Sequence, residues 1–93
     1  MLGKKVIIRG DRSGVFFGTL KSLNGQTAEI ENCRKIWRWY GAKSVEQISL
    51  DGVNDNSNIT QSVKNLIVSD VIQVLQCTEK SIEKIEKIVE WKQ

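Results

Sequence analysis

A chain of 93 residues with 40% hydrophobic and 27% charged side chains is long enough for one small domain and has the composition of an ordinary globular protein. No apolar run approaches the roughly 20 residues of a membrane span, and the three-residue run before Arg9 is too short for a signal peptide, so a cytoplasmic protein is expected. Histidine and proline are both absent, and the formal charge is only +3, so metal chemistry and a strongly basic nucleic-acid binder are both disfavoured.

The charge is unevenly placed. Residues 1–46 hold nine Lys/Arg against four Asp/Glu, a balance of +5, whereas residues 47–93 hold five against seven, a balance of −2. All four arginines lie in the first half. Arginine grips phosphate and carboxylate with a planar fork and stacks on aromatic rings, so this half points to an anionic partner. The two cysteines, Cys33 and Cys77, sit in no Cys-x-x-Cys motif and read as free thiols.

In chain order, residues 4–9 predict a first strand. Gly10-Asp11-Arg12-Ser13-Gly14 is a turn-rich loop. It is not a phosphate-binding loop, because no Gly-Lys-Ser/Thr and no helix follow. Its backbone N–H groups, with Arg9 and Arg12 beside them, are nonetheless suited to an anion. Residues 15–23 predict a second strand, in which Gly18 marks a bend or a close backbone approach. Asn24-Gly25 predicts a type I′ hairpin, which needs two residues of positive φ. The third strand, residues 26–31, would turn Ala28 and Ile30 inward.

The stretch Ile30-Glu31-Asn32-Cys33-Arg34-Lys35-Ile36-Trp37-Arg38-Trp39-Tyr40-Gly41 is the centre of the chain. It carries two of the three tryptophans, the only tyrosine and two of the four arginines. Aromatic and β-branched density favours a strand. Alternation would put Cys33, Lys35, Trp37 and Trp39 on one face and Arg34, Ile36, Arg38 and Tyr40 on the other. The parity of Ile30 and Ile36 conflicts with that of the tryptophans, so a bulge near Asn32-Cys33-Arg34, or a break into two strands, is expected.

Ser44 predicts a cap for a short helix over residues 45–51, with Gln47 at the capping-box position, Val45, Ile48 and Leu50 facing inward, and Gly52 as the stop. Residues 51–61 read as a surface loop without calcium-ligand spacing. Residues 63–77 are β-rich and divided by Ser69-Asp70, which leaves one kinked strand or two strands open. Thr78 predicts the cap of a C-terminal helix reaching about Trp91, with Ile82, Ile85, Ile88 and Val89 as its apolar stripe and Glu83–Lys87 as an i,i+4 pair. The expected architecture is one domain over residues 1–93, β-rich over 1–77 and helical over 78–92. It is an α+β, mainly β fold: a small curved antiparallel sheet or barrel of five or six strands with a short helix and a C-terminal helix.

The runs Val-Ile-Ile-Arg, Ser-Gly-Val-Phe-Phe-Gly and Asn-Cys-Arg-Lys-Ile-Trp-Arg-Trp-Tyr-Gly-Ala resemble a group of small phage and prophage proteins of about 90–100 residues. The late run Val-Ile-Gln-Val-Leu-Gln-Cys-Thr-Glu-Lys is similar too. That group carries a domain of unknown function. The resemblance implies a phage or prophage origin and residence in the cytosol of a bacterial host, but no activity and no site residues.

Catalysis is the least expected class, since neither cysteine has a histidine base and no serine sits in a nucleophile-elbow motif. Neither a cofactor nor a metal is expected. The favoured reading is a homo-oligomeric protein that captures a nucleotide-like small molecule, sequestering an immune signal of the host. Its candidate ligand-binding residues are Arg9, Arg12, Arg34, Trp37, Arg38, Trp39 and Tyr40. Arg34 and Arg38, four apart on one strand, would share a face roughly 13 Å apart, a span suited to a dinucleotide. The oligomer would form through the aromatic strand or the last helix. The alternative is a nucleic-acid-binding or protein-interaction module with the aromatic side chains as stacking platforms.

Overall fold

A computed structural model describes residues 1–91. In chain order it contains β1 (Lys5–Gly10), β2 (Val15–Asn24), β3 (Thr27–Arg38), α1 (Val45–Asp51), β4 (Asn58–Ile59), β5 (Val63–Val68), β6 (Val71–Gln76) and α2 (Glu79–Glu86). The six strands form one antiparallel sheet of order β4-β3-β2-β1-β6, and β5 also pairs with β3. β5 lies along the first half of β3 and β4 along its end. The sheet does not close into a barrel: β5 pairs with β3 and β6 with β1, so the turn joining them leaves two separate edges. Among the described residues no helix is long and apolar enough to cross a membrane.

Both faces of the central strands are covered, and this explains their unbroken apolar runs. Val6, Ile7 and Ile8 are all fully buried, as are Val15, Phe16 and Phe17 nearly so. Alternation sends Ile7, Val15 and Phe17 to a cluster closed by α1 and α2 through Ile48 and Ile85, and by Ile88 just after α2. Val6, Ile8, Phe16 and Leu20 go to the other, where Ala28, Ile30, Cys33, Val68 and Val71 complete it. Cys77 belongs to the first cluster and Cys33 to the second, so the sheet itself separates the two thiols, and both are free.

β3 is one strand of 12 residues, and its change of face has a clear cause. Phe17 pairs with Arg34 and Thr19 with Glu31, so two steps on β2 match three on β3. The extra residue falls at Asn32, which takes φ 51°. Asparagine tolerates this left-handed region better than most residues. Before the bulge Ala28 and Ile30 point into the second cluster; after it Cys33 does so, and Arg34 and Ile36 turn to the opposite face. Gly18 lies opposite the bulge. A Cβ there would stand 2.6 Å from Ile30 Cγ2 and 2.9 Å from the Glu31 carbonyl oxygen, so the bulge requires glycine at 18.

The hairpin after β2 forms, but not as a type I′ turn. Asn24 pairs with Thr27, which makes Gly25 and Gln26 the two loop residues. Of the two only Gly25, at φ 60°, has positive φ, which matches glycine at the first position of a II′ turn.

α1 has the expected bounds. Ser44 Oγ accepts the Gln47 N–H at 3.1 Å, and Gln47 Oε1 accepts the Lys43 N–H at 2.8 Å. Leu50 does not face the core; it is exposed, and Ser49 is buried with Val45 and Ile48 instead. The helices interlock through α2's first turn. The Thr78 hydroxyl donates to the Leu50 carbonyl at 2.6 Å, and the buried Ser81 hydroxyl donates to the Ile48 carbonyl at 2.6 Å. The first satisfies a carbonyl that the end of α1 leaves open, and the second adds to the Ile48 carbonyl, which already accepts the Gly52 N–H at 2.9 Å.

Residues 51–61 are more than a surface loop, for they contain β4 and bury Val53, Ser57 and Ile59. Ser57 Oγ accepts the Tyr40 N–H at 3.0 Å, and the Asn54 N–H donates to the Tyr40 carbonyl at 2.8 Å, tying this segment to the end of β3. Residues 63–77 are two strands, not one. α2 ends at Glu86 rather than near Trp91, and residue 92 of the expected helical span lies outside the described residues. Val89 is 86% exposed and so leaves the apolar stripe. Lys87 approaches Asp55 at 3.9 Å instead of forming the anticipated pair with Glu83.

Candidate ligand-binding cleft

The seven candidate residues divide into three places. Arg9, Arg12 and Trp39 meet in an open cleft of about 500 Å³, where Lys43 joins them and Asp11 and Glu46 add two carboxylates. Val15 and Val45 give it an apolar floor. The side chain of Trp39 is half-buried against the helix-covered cluster, and its indole N–H donates to the Ala42 carbonyl at 3.2 Å. That bond fixes the ring that forms one wall.

The opposite wall is the loop between β1 and β2, and a single carboxylate shapes it. Asp70, in the turn between β5 and β6, accepts the Arg12 N–H at 2.7 Å and the Ser13 N–H at 3.0 Å on Oδ2. Its Oδ1 accepts the Ser13 hydroxyl at 2.6 Å. The Asp11 N–H donates to the Asp70 carbonyl at 2.8 Å. Successive N–H groups in a turn make an anion-binding concavity. Here the chain's own side chain fills it, so the backbone groups expected to meet an external anion are already taken. A Cβ on Gly10 would collide with the Ser13 hydroxyl and the Asp70 carboxylate, which is why the loop begins with glycine. The Ser13 hydroxyl, and next the Arg12 N–H, hold the Asp70 carboxyl below its ordinary range.

Glu46 stands in the first turn of α1 and accepts the Gln73 side-chain N–H at 2.9 Å. That bond chiefly, with the charge of Arg9 adding to it, keeps Glu46 ionised. Gln73 pairs across the sheet with Arg9, so β1, β6 and α1 together position the acidic side of the cleft. Its chemistry is therefore three cationic side chains and two carboxylates around one indole.

Arg34 is elsewhere and has a different task. It is only 8% exposed. Its Nε donates to the Thr60 carbonyl at 2.8 Å and one terminal nitrogen to the Ile85 carbonyl at 3.2 Å. The other terminal nitrogen donates to Ile59 at 3.3 Å and Ile88 at 2.9 Å. Four of its five N–H groups are thus spent on backbone carbonyls, two from the β4 segment and two from the end of α2. A cation at a helix C-terminus also complements the helix dipole. Burial lowers the pKa of Arg34, while Glu90 and Glu86 oppose that shift. Arg34 is consequently a clamp inside the fold, and the expectation that it shares an exposed face with Arg38 fails. The Asn32 bulge turns Arg34 inward, and a second register shift, between Ile36 and Arg38, separates the two arginines.

Trp37, Arg38 and Tyr40 are exposed and do not line the cleft. Trp37 stacks on Trp91 with ring centroids 4.8 Å apart and an interplanar angle of 12°. The Arg38 guanidinium lies 5.5 Å from the Trp37 centroid. The Trp91 N–H donates to the Ile59 carbonyl at 2.8 Å, which seats the segment after α2 beside β4.

Sequence reasoning missed Lys43, Glu46, Asp70 and Trp91. The Lys-Ser exit before α1 gave a weak signal for the first two. Nothing local distinguished Asp70, since its partners are 57 and 58 residues away. Among the described residues no three His, Cys, Asp or Glu side chains group as metal ligands. Burial pushes the Cys33 thiol up to about 12 and the Cys77 thiol up to about 11.

Fold and cleft define a small antiparallel-sheet domain with a cationic, aromatic-walled recess at one end. The profile of a family described as a domain of unknown function, DUF6948, matches residues 3–85, and the chain belongs to that family. The matched span includes the cleft residues and Arg34 but stops short of Ile88 and Trp91. No curated protein and no solved structure matches the chain.

Proposed function

We propose that this protein binds, without turnover, a phosphorylated nucleotide-sized small molecule in the cleft of Arg9, Arg12, Trp39 and Lys43. The observation that carries this reading is the convergence of three cationic side chains on one fixed indole around about 500 Å³. That volume lies within the ~300–1,000 Å³ of small-ligand sites. On this reading the indole stacks a base, the arginines hold phosphate, and the ionised Glu46 accepts an N–H from the ligand. The resemblance to small phage and prophage proteins supports the finer form of the proposal: capture without turnover would sequester a nucleotide immune signal in the cytosol of a bacterial host.

The test is calorimetric titration with mononucleotides, cyclic nucleotides and dinucleotides, together with analysis of small molecules released from the purified protein by heat. Arg9→Ala, Arg12→Ala and Trp39→Ala should each weaken binding at least about tenfold, the scale of one lost charged contact. Arg38→Ala should leave it unchanged. Failure of every nucleotide to bind would refute the proposal. A second reading, a nucleic-acid module, draws on the half-exposed Trp37 with Arg38 against its ring. Retention of single-stranded DNA that falls steeply with salt and is lost in Trp37→Ala would favour that reading.

A further inference from the structure

The sheet has three edge strands, of which β4 is only two residues long and accepts the Trp91 backbone N–H on its Ile59 carbonyl at 2.8 Å. β6 is partly covered, since the Val71 N–H donates to the Gln26 carbonyl at 2.9 Å. β5 is bare. Among the described residues it pairs with β3 alone, and Val63, Lys64, Asn65 and Ile67 are all exposed. Val63 is 44% and Ile67 66% exposed, which is high for apolar residues in a regular strand. An unpaired strand edge offers a row of backbone donors and acceptors, and proteins usually guard it with proline, bulges or several charges. β5 has no proline, its register with β3 carries no shift, and its only charge is Lys64.

The order of side chains on this strand selects the occupant. We propose that the free edge of β5 is a homodimer interface, in which β5 of two copies pairs antiparallel about a twofold axis through Asn65. A twofold axis perpendicular to the sheet keeps each face on its own side, so it must pass through a residue. Centred on Asn65, Val63 faces Ile67 of the second copy, Ile67 faces Val63, and Asn65 faces Asn65. Both exposed apolar residues then gain apolar cross-strand partners, and the amides pair with each other. The other registers do worse. Centred on Lys64, two ammonium groups face each other. Centred on Leu66, Ile67 faces Asn65. Centred on Ile67, Val63 has no partner. The result is a continuous sheet through both copies, with main-chain bonds for affinity and the Val–Ile pairs for register.

Two independent measurements test this. In sedimentation at about 100 µM, a dimer of ~10 µM affinity would be mostly associated. The protein should sediment as a dimer there, and Val63→Lys and Ile67→Lys should each weaken it at least tenfold. Ile72→Lys, on the β6 edge, should not. In the second measurement, Asn65→Cys should oxidise to a covalent dimer in a glutathione buffer. Opposed Cα atoms in an antiparallel pair are ~4.5–5.5 Å apart, within disulfide reach. Lys64→Cys should not, because residues 64 of the two copies would be offset along the strand to roughly 8 Å. Cys33 and Cys77 are buried and do not compete. A monomer at this concentration would overturn the proposal. So would a dimer that survives Ile67→Lys or falls to Ile72→Lys, or cross-linking at 64 as fast as at 65.

Discussion

Replacing Arg34 by methionine keeps most of the apolar stem and deletes the fork. The lost bonds are unequal: those to Thr60 and Ile88, at 2.8 and 2.9 Å, are short, and those to Ile85 and Ile59, at 3.2 and 3.3 Å, are long. A hydrogen bond from a charged group contributes roughly 1.5–3 kcal/mol net, so the two short ones alone represent roughly 3–6 kcal/mol. The variant no longer has to strip water from a guanidinium, which returns part of that sum. The expected loss is about 3–4 kcal/mol, a large share of the ~5–15 kcal/mol that holds a domain together. In a domain of this size 1 kcal/mol moves Tm by about 4–8 °C, so Tm should fall by at least ~12 °C. Urea unfolding should show the midpoint falling at unchanged slope. Arg34→Lys should recover less than half the loss. A lysine keeps the charge, but one ammonium cannot reach β4 and the end of α2 together. An Arg34→Met protein within about 1 kcal/mol of the parent would refute the reasoning, because the four carbonyls would then be reaching water unaided.

Other outcomes follow from the same structure. Gly18→Ala should cost roughly 1–3 kcal/mol in urea unfolding, since its methyl group meets Ile30 and the Glu31 carbonyl with no room to move. A double-mutant cycle on Trp37 and Trp91 should return a coupling of about 0.5–1.5 kcal/mol, the scale of a stacked aromatic pair. Cys33 and Cys77, with thiols pushed up to about 12 and about 11, should resist a thiol reagent at about pH 8 in the native protein and react fully once unfolded. Asp70 has a depressed pKa in the fold, so its stabilising contribution is present above the unfolded carboxyl value, ~3.9, and is lost as pH falls through the lower folded value. Asp70→Asn should therefore flatten the acid limb of the stability curve, read as urea midpoint against pH; an unchanged limb would exclude Asp70 as its source.

The parts of the fold that depend on near neighbours were legible. Ser44 and Thr78 cap the two helices, Gly52 ends α1, and Gly18 admits the close approach, each for the reason its residue type suggests. What escaped depends on distant partners. α2 stops at Glu86 although its sequence continues in helical register, and there Arg34, 51 and 54 residues back, donates to the Ile85 and Ile88 carbonyls. Strict alternation through β3 predicted two cationic-aromatic faces. The bulge expected near Asn32 forms and sends Arg34 inside, and what the sequence did not show is the second shift, between Ile36 and Arg38, with Trp37 and Arg38 outside. Arg9, Arg12 and Trp39 stand out as candidates in the sequence, but their convergence with Lys43 and Glu46 depends on the β1–β6 pairing.

The self-filled loop has a consequence for discrimination. A turn of open amide groups would take up whatever small anion is most abundant around it, chloride and inorganic phosphate included. With Asp70 seated there, such ions meet a carboxylate where the donors would be, and repulsion replaces capture. If the recess takes the nucleotide-sized ligand proposed for it, that ligand must be long enough to reach the side chains of Arg9, Arg12 and Lys43 without meeting that carboxylate. On that reading the Asp70 clamp would act as a sieve on ligand length, keeping the recess from being silted by the common ions of its surroundings.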